Sequence, residues 1–208
     1  MQEKNLQVGI IGEMKFNKKE YEVKHIEHKY AKAFIEKNHY SKSCGNTSIL
    51  CTSLYKKNSL ELLGVSIWML APCGVAKKYS NQMNDVLTLS RFAIIDGMPT
   101  NTASFLLGRS IRIIEKLQQY KTLITYADER MNHQGTIYKA TNWFYDGLTK
   151  PYYCWLDHNG KQKSKYSTTS IPVAVMDQKY KRVGPYKKHR FIYKLKIKRP
   201  KQFKLFVS

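Results

Sequence analysis

The spacing of apolar positions along the chain predicts alternating strands and helices. Short apolar or alternating runs, which are typical of strands, recur from one end of the chain to the other. They lie at residues 5–26, 48–55, 60–70, 86–95, 123–126, 151–157, 168–176 and 189–198. The polar segment KKNS joins the second and third runs, which predicts a β-hairpin.

Helical periodicity predicts three helices. The first spans residues 27–37, and the second begins at a cap formed by Asn101 or Thr102. The third is predicted to begin at Asn132 as its N-cap and to end at Gly147. Its core-facing stripe would consist of Ile137, Ala140, Thr141 and Phe144.

The order of these elements predicts a mixed α/β sheet. A helix between two strands implies a parallel crossover, whereas hairpins are antiparallel. The 208 residues are enough for one domain with a sizeable core, and no repeat or linker divides them. We therefore expect a single domain over residues 1–208.

The stretch at 123–147 predicts a functional corner. Its strand ends at Ala127 and Asp128, and the polar residues 129–135 follow before the predicted helix. A fixed carboxylate beside unpaired backbone donors suits a binding or catalytic site. A turn aspartate beside ordinary helix aromatics is the alternative, and spacing alone favours it.

Charge is the informative bulk property. Thirty-six Lys and Arg against 15 Asp and Glu give a net charge of +21. From residue 178 onward the chain has many cations interleaved with aromatic residues, and no acid. This density of positive charge indicates a polyanionic partner, most often nucleic acid. A generally lysine-rich composition is the alternative.

The cysteines and the apolar runs exclude several classes of protein. Cys44, Cys51, Cys73 and Cys154 form no CxxC pair, which argues against a zinc knuckle. We expect them to be mostly reduced core residues of a cytoplasmic protein. No apolar run is long enough to span a bilayer, and the N-terminus has no signal-peptide pattern.

Three segments carry a resemblance to a known family. The segments NHYSK (38–42), LTLSRFAIIDGMPTNTASFLLGRSIR (87–112) and ITYADERMNHQGTIYKATNWFYDG (124–147) together resemble the phage Mom proteins. The order of elements resembles the GNAT acyltransferase fold. The resemblance implies a GNAT-like enzyme that converts adenine in phage DNA to N6-carbamoylmethyladenine, which blocks host restriction nucleases. It also implies a phage or prophage gene product that acts in the cytoplasm of the bacterial host.

The resemblance implies a set of functional residues, namely His39, Tyr40, Arg91, Asn101, Ser104, Asp128 and Tyr138. We expect Asp128 to accept a hydrogen bond from the adenine amine, as a base or a polariser, and Tyr138 to protonate or orient the donor or leaving group. His39 and Tyr40 lie in a loop that can cover the site. Ser104 lies in a first helical turn, where N–H groups bind anions. The alternatives are Asp128 as a cap and Tyr138 as a core tyrosine.

The donor of the transferred group is not identified by the sequence. Ordinary GNAT enzymes hold the pyrophosphate of coenzyme A with an R/Q-x-x-G-x-G/A turn, and residues 96–108 (DGMPTNTASFLLG) lack it. That difference puts acetyl-CoA and other acyl-CoA donors in doubt, so Arg91, Asn101 and Ser104 are expected to contact a donor of open identity. His39 and Asp128 are ligand types that suit iron, although no ligand spacing indicates a metal site.

Double-stranded DNA is the expected partner. A base inside a duplex cannot be reached, so the adenine has to be flipped out. The expected phosphate contacts are Arg109, Arg112, Lys187, Lys188 and Arg190. Two other functions stay open: a conventional GNAT enzyme that acylates an amine on a protein, RNA or small molecule, and a DNA-binding module without catalysis. The oligomeric state is not indicated.

Overall fold

The computed structural model describes residues 16–160, 162–163 and 171–197. Residues 5–15 of the opening strand region, residues 168–170 and residues 198–208 lie outside the described residues. The chain divides into two compact units, Met1–Leu70 with Leu89–Gln119 and Ala71–Thr88 with Tyr120–Ser208. The expectation of a single domain stays a prediction.

The described strands and helices follow the predicted mixed α/β order. The strands are β1 (Tyr21–His25), β2 (Leu50–Lys56), β3 (Leu62–Leu70), β4 (Val86–Ile94), β5 (Thr122–Asp128), β6 (Phe144–Leu148), β7 (Tyr152–Leu156), β8 (Lys181–Tyr186) and β9 (Lys188–Lys194). The helices are α1 (His28–Asn38), α2 (Cys73–Ala76), α3 (Thr102–Leu117), α4 (Thr136–Ala140) and α5 (Val173–Lys179). Among the described residues, no helix has the length and apolar character needed to cross a membrane.

In the first unit, β1, β2 and β3 form an antiparallel sheet, in which β2 and β3 are the predicted hairpin, with a helix packed on each face. Residues of β2 point alternately to the two faces, because side chains alternate along a strand. Cys51 packs in the cluster of α1 with Phe34 and Ile35, whereas Leu54 packs with Leu106 of α3. This two-sided burial explains the almost continuous apolar runs of β2 and β3.

A buried hydroxyl network ties α3 to the sheet in this unit. The Thr52 Oγ1 lies 2.5 Å from Ser110 Oγ and 2.7 Å from Ser66 Oγ. The indole of Trp68 donates to Ser66 Oγ at 2.9 Å, and the Ser110 hydroxyl donates to the Leu106 carbonyl at 2.8 Å. The polar atoms on these fully buried side chains are therefore satisfied, which buried groups require.

In the second unit, β9 lies between β5 and β6. β5 is parallel to the first residues of β4, as predicted for a crossover connection. β9 pairs with β5 in antiparallel register from Thr122↔Lys194 to Asp128↔Lys188, and β6 pairs with the other edge of β9. β7 and β8 form a separate antiparallel ribbon in which Cys154 is buried, and α5, with its buried Met176, contacts β8.

The third predicted helix is wrong beyond residue 140. Helix α4 ends at Ala140, and residues 144–148 form β6. Asn142 has a φ of 63°, a left-handed conformation that interrupts helical periodicity. The aromatic residues that follow favour a strand. Phe144, predicted to face the core, is therefore 67% exposed on β6.

The predicted ends of that helix are wrong as well. Gly135, with a φ of 75°, occupies the N-cap in place of Asn132, which closes the preceding 3-10 turn. Gly147 lies inside β6, where the register shifts, and does not end a helix. The cap signals at Asn132 and Gly147 thus enclose a segment that contains a helix, but they do not mark the ends of that helix.

Two further predictions near the C-terminus are wrong. The strand predicted over 168–176 is replaced, where described, by α5, which begins directly after Pro172. Proline is tolerated at a helix start because its missing N–H is not needed there. The segment 180–188, predicted to be a connection, contains β8.

The expectation that the cysteines are mostly core residues holds for two of the four. Cys73 is exposed and Cys44 half-buried, so only Cys51 and Cys154 are core cysteines.

Gly135 tests the packing under α4. A Cβ at this position would overlap the ring of Phe191, which is fully buried and has no room to move. We expect Gly135→Ala to lower the free energy of unfolding by about 1–3 kcal/mol more than Gly147→Ala, because overpacking adds to the cost of the left-handed backbone.

Gly147→Ala is the matched control for this comparison. It also has a positive φ, of 85°, but a Cβ there meets open space. Chemical denaturation of both variants measures the difference. Equal free energies of unfolding would contradict the tight approach of α4 to β9.

Candidate active site

Asp128 closes β5 and begins a 3-10 turn. Its side chain is 13% exposed, and its Oδ1 accepts a hydrogen bond from the Arg130 backbone N–H at 3.1 Å. Asp128 is therefore the cap of the turn at Glu129–Met131. The alternative role as a cap of the predicted helix start is wrong, because Gly135 is the N-cap of α4 and Asp128 caps the turn before it. This hydrogen bond holds the carboxylate in a fixed orientation.

Two side chains from other strands converge on the same carboxylate. The Tyr152 hydroxyl of β7 lies 2.6 Å from Oδ1 and 2.7 Å from Oδ2. The Lys188 Nζ lies 3.3 Å from Oδ2 and 5.0 Å from the centre of the Tyr152 ring. Burial, and then the hydrogen bond to Asp128, raise the pKa of Tyr152. Its hydroxyl therefore keeps its proton and acts as a donor to Asp128.

Tyr138 lies on α4 and packs against aromatic residues. Its ring centre is 5.2 Å from that of Phe191 and 5.7 Å from that of Trp143. Phe191 is three residues from Lys188 on β9, so the two side chains point to opposite faces of that strand. Asp128 therefore meets Lys188 on one face of β9, and Tyr138 packs on Phe191 on the opposite face.

A chain of polar groups that the sequence did not reveal lies on the Phe191 face. The Tyr145 hydroxyl is 3.2 Å from His189 Nδ1, and His189 Nε2 is 3.6 Å from Glu129 Oε1. The Lys187 backbone N–H donates to Glu129 Oε2 at 3.1 Å, which orients the carboxylate. The Tyr145–His189 contact is within hydrogen-bond distance, whereas the 3.6 Å between His189 and Glu129 is longer than a hydrogen bond. The three residues are too far apart in the chain for local spacing to indicate them.

Arg190 and Lys188 are engaged in ion pairs. The Arg190 Nε lies 2.5 Å from Asp146 Oδ2, and its Nη2 donates to the Asp146 carbonyl at 2.9 Å. The Tyr79 hydroxyl also donates to Asp146. Burial opposes the charged form of Asp146, but the hydrogen bonds from Tyr79 and Arg190 outweigh it and lower the pKa of the carboxyl. Of the three cations expected to contact phosphates in this region, Lys187 is exposed, and it lies between β8 and β9.

The first unit brings Arg91 to the loop that follows α1. Arg91 Nε donates to the Ser43 carbonyl at 2.8 Å, and its Nη1 donates to the Ser90 carbonyl at 2.7 Å. The ring centres of His39 and Tyr40 lie 4.2 Å apart in the same loop, with the ring planes tilted by 32°, and His39 Nδ1 lies 2.8 Å from Ser41 Oγ. Arg91 therefore braces the loop that carries two of the expected site residues.

The start of α3 does not fit the pyrophosphate of coenzyme A by the usual pattern. Asn101 has a φ of 75° at the N-cap, and Ser104 Oγ donates back to the Asn101 carbonyl at 3.0 Å. The Thr102 hydroxyl donates to the Pro99 carbonyl at 2.6 Å. The side chains of Asn101, Thr102 and Ser104 thus occupy the helix start at which ordinary GNAT enzymes have a glycine-rich turn. Farther along α3, Arg109 lies over the Phe105 ring and Arg112 is exposed.

Within the part of the chain that the structure describes, no three His, Cys, Asp or Glu side chains converge as metal ligands. His39 and Asp128 belong to different compact units.

Comparisons with known proteins agree on the family and the fold. A model of the Mom protein family matches residues 20–207. The methylcarbamoylase Mom of Escherichia phage Mu is 26% identical over 146 residues, which cover 68% of this chain and 60% of that protein. The matched part thus spans about 60% of the relative's length.

Among solved structures, the ribosomal-protein-S18-alanine N-acetyltransferase from Escherichia coli is similar with a TM-score of 0.53 and 12% identity, covering 88% of this chain and 99% of that one. NAA60 of Arabidopsis thaliana is similar with a TM-score of 0.55 and 8% identity, covering 86% and 99%. These likenesses show the GNAT acetyltransferase fold. The family match extends over most of the described residues, and the chain belongs to the Mom protein family.

Proposed function

We propose that the protein is a transferase that modifies adenine N6 in duplex DNA to N6-carbamoylmethyladenine. Membership of the Mom family and similarity to a protein named methylcarbamoylase support the class of reaction. The fold, shared with enzymes that acylate amines, supports an amine as the acceptor. The carboxylate held at the end of β5 is the observation that carries the chemical part of the proposal.

The adenine amine needs an oriented acceptor because its lone pair is delocalised into the ring. A carboxylate offers about four lone-pair positions. In Asp128, three donors use them: the Arg130 N–H, the Tyr152 hydroxyl and the Lys188 ammonium. One acceptor position is left for an N6 hydrogen. Protonation of Asp128 would weaken its hydrogen bonds with these three donors. The residue is therefore better suited to orient the amine than to take its proton.

Tyr138 supplies the second role in the proposal. Its ring packs against the rings of Phe191 and Trp143, which limits the movement of the side chain. In this role the Tyr138 hydroxyl protonates or orients the donor or leaving group. Tyr145 and His189 lie on the Phe191 face with Tyr138, opposite the face of β9 on which Lys188 meets Asp128, so the proposal gives them no step on the amine. The roles that the resemblance implies for His39, Tyr40, Arg91, Asn101 and Ser104 of the first unit remain part of the proposal.

The charge of the chain supports DNA as the substrate. A net charge of +21 on 208 residues favours a polyanion. The proposed phosphate contacts are Lys187, Arg109 and Arg112, whose side chains are not committed to the ion pairs described above. Lys188 and Arg190 are placed to position Asp128 and Asp146, and their positive charge contributes to the field of the second unit.

A conventional acyl-CoA-dependent enzyme is the second candidate, because the fold is shared with N-acetyltransferases. The replacement of the glycine turn before α3 by Asn101 and Thr102 argues against it. Mass spectrometry of nucleosides from cells that express the protein separates the two. A new adenosine derivative supports DNA modification, and acylated protein or small-molecule amines with unmodified adenosine would support the alternative.

Asp128→Asn should lower the rate of adenine modification by about two orders of magnitude, because it removes the charge that orients the amine. The measurement is the amount of modified adenosine in DNA purified from the reaction, divided by the amount of folded protein. DNA affinity should stay unchanged.

Asp146→Asn is the matched control, since Asp146 also joins a tyrosine hydroxyl to a cation. We expect it to lower stability and to keep the rate. If both variants keep the wild-type rate, or lose it only in proportion to unfolding, Asp128 has no role in the chemistry.

DNA affinity should fall steeply as salt is added. Each phosphate neutralised contributes a slope of about −0.9 to the log–log plot of binding constant against salt concentration. Lys187→Ala should reduce the magnitude of that slope by about one. Fluorescence anisotropy with labelled duplex measures both quantities, and a flat salt response of the wild type would rule out the nucleic-acid substrate.

A further inference from the structure

The outer face of the β7–β8 ribbon carries an aromatic and cationic cluster. The Arg182 guanidinium carbon lies 3.9 Å from the ring centre of Tyr153 and 5.9 Å from that of Trp155. Tyr153 is 42% exposed, and the Arg182 side chain is 40% exposed. The cluster therefore presents flat, polarisable groups to solvent on a strand pair whose inner side is buried at Cys154.

Asp177 of α5 fixes this cluster from one side. The Trp155 Nε1 donates to Asp177 Oδ1 at 2.7 Å, and Arg182 Nη1 lies 3.6 Å from Asp177 Oδ2. The carboxylate thus holds the indole and the guanidinium in place before any ligand binds. Preorganised planar groups lose little conformational entropy on binding.

The surrounding charge favours an anionic ligand. Lys179 and Lys181 are exposed beside Arg182, whereas Lys163, which lies over the Tyr180 ring at 5.0 Å, is already paired with Asp157 at 3.6 Å. Aromatic rings combined with Arg and Lys are the combination that binds unpaired nucleotides, because bases stack on the rings while cations meet the phosphates. A duplex contacted only through its phosphates has no use for exposed rings.

The ribbon is connected directly to the candidate site. Tyr152 donates to Asp128, and the next residue, Tyr153, lies on the cluster. Consecutive residues of a strand point to opposite faces, so one strand serves the carboxylate on one side and the cluster on the other. Flipping an adenine leaves an unpaired partner base close to the site of flipping.

We propose that Tyr153, Trp155 and Arg182 form a stacking platform for DNA bases that are unpaired when the target adenine leaves the duplex. This inference rests on the proposed function, since it assumes DNA as the substrate. The ligand of the platform is the unpaired bases of the DNA, and not the phosphates of the duplex.

Fluorescence anisotropy tests the platform with two labelled duplexes of one sequence, one fully paired and one with a short unpaired stretch around the adenine. Tyr153→Ala should weaken binding to the unpaired duplex about tenfold, because one stacked base is lost. Its binding to the paired duplex should stay unchanged. Tyr153→Phe, which keeps the ring, should bind both duplexes like the wild type.

Tyr30→Ala is the matched control. It removes another exposed tyrosine that pairs with a cation, since Lys29 Nζ lies 4.7 Å from the Tyr30 ring centre on α1. It should bind both duplexes like the wild type. Arg182→Lys keeps the charge and loses the planar group, so we expect weaker binding to the unpaired duplex with an unchanged salt slope.

The outcomes separate this inference from the function on which it rests. If the wild type binds DNA and Tyr153→Ala binds the unpaired duplex equally well, the platform is refuted alone. If Tyr153→Ala weakens both duplexes equally while circular dichroism shows it folded, the face is a general docking surface and the platform is also refuted. If the wild type binds neither duplex, the proposed function fails and the platform with it.

Discussion

The antiparallel register between β5 and β9 is the constraint on which the candidate site depends. It sets Lys188 opposite Asp128 and His189 opposite Ala127, and it continues to Phe191, the residue on which Tyr138 packs. A shift of one residue would exchange the two faces of β9, because side chains alternate along a strand. Lys188 would then leave the carboxylate, and Phe191 would leave α4. Both halves of the proposed chemistry therefore rely on one set of backbone hydrogen bonds.

The two faces of β9 differ in their electrostatics. On one face, Asp128 and Asp146 each join a tyrosine hydroxyl to a basic side chain of β9, Lys188 or Arg190. Partly buried carboxylates need such partners, since an unpaired buried charge is costly. On the other face, the Tyr145 ring lies 5.7 Å from the imidazole of His189 and 5.4 Å from the ring of Phe191. β9 thus supplies the basic partners of both carboxylates on one face and the imidazole on the other, and the basic composition of the chain attracts a polyanion.

Periodicity predicted the elements whose apolar pattern is long and regular. Helices α1 and α3, the β2–β3 hairpin and β5 were all located from the sequence, because their burial follows from local spacing. The helix extended to Gly147 failed, since the left-handed Asn142 and pairing with β9 outweigh the local stripe. Asp128 was found through its position at a strand end and through resemblance. Tyr152, His189, Tyr145 and Glu129 were not, because strand register brings them together across long stretches of chain.

A crystal structure of the protein bound to duplex DNA tests the proposed role of Asp128 most directly. We expect a flipped adenine whose N6 lies about 3 Å from an Asp128 carboxylate oxygen, within hydrogen-bond distance. We also expect the hydrogen bond from the Tyr152 hydroxyl to Asp128 to be retained in the complex. DNA bound with every adenine still stacked in the duplex, or a flipped base held away from Asp128, would contradict this role.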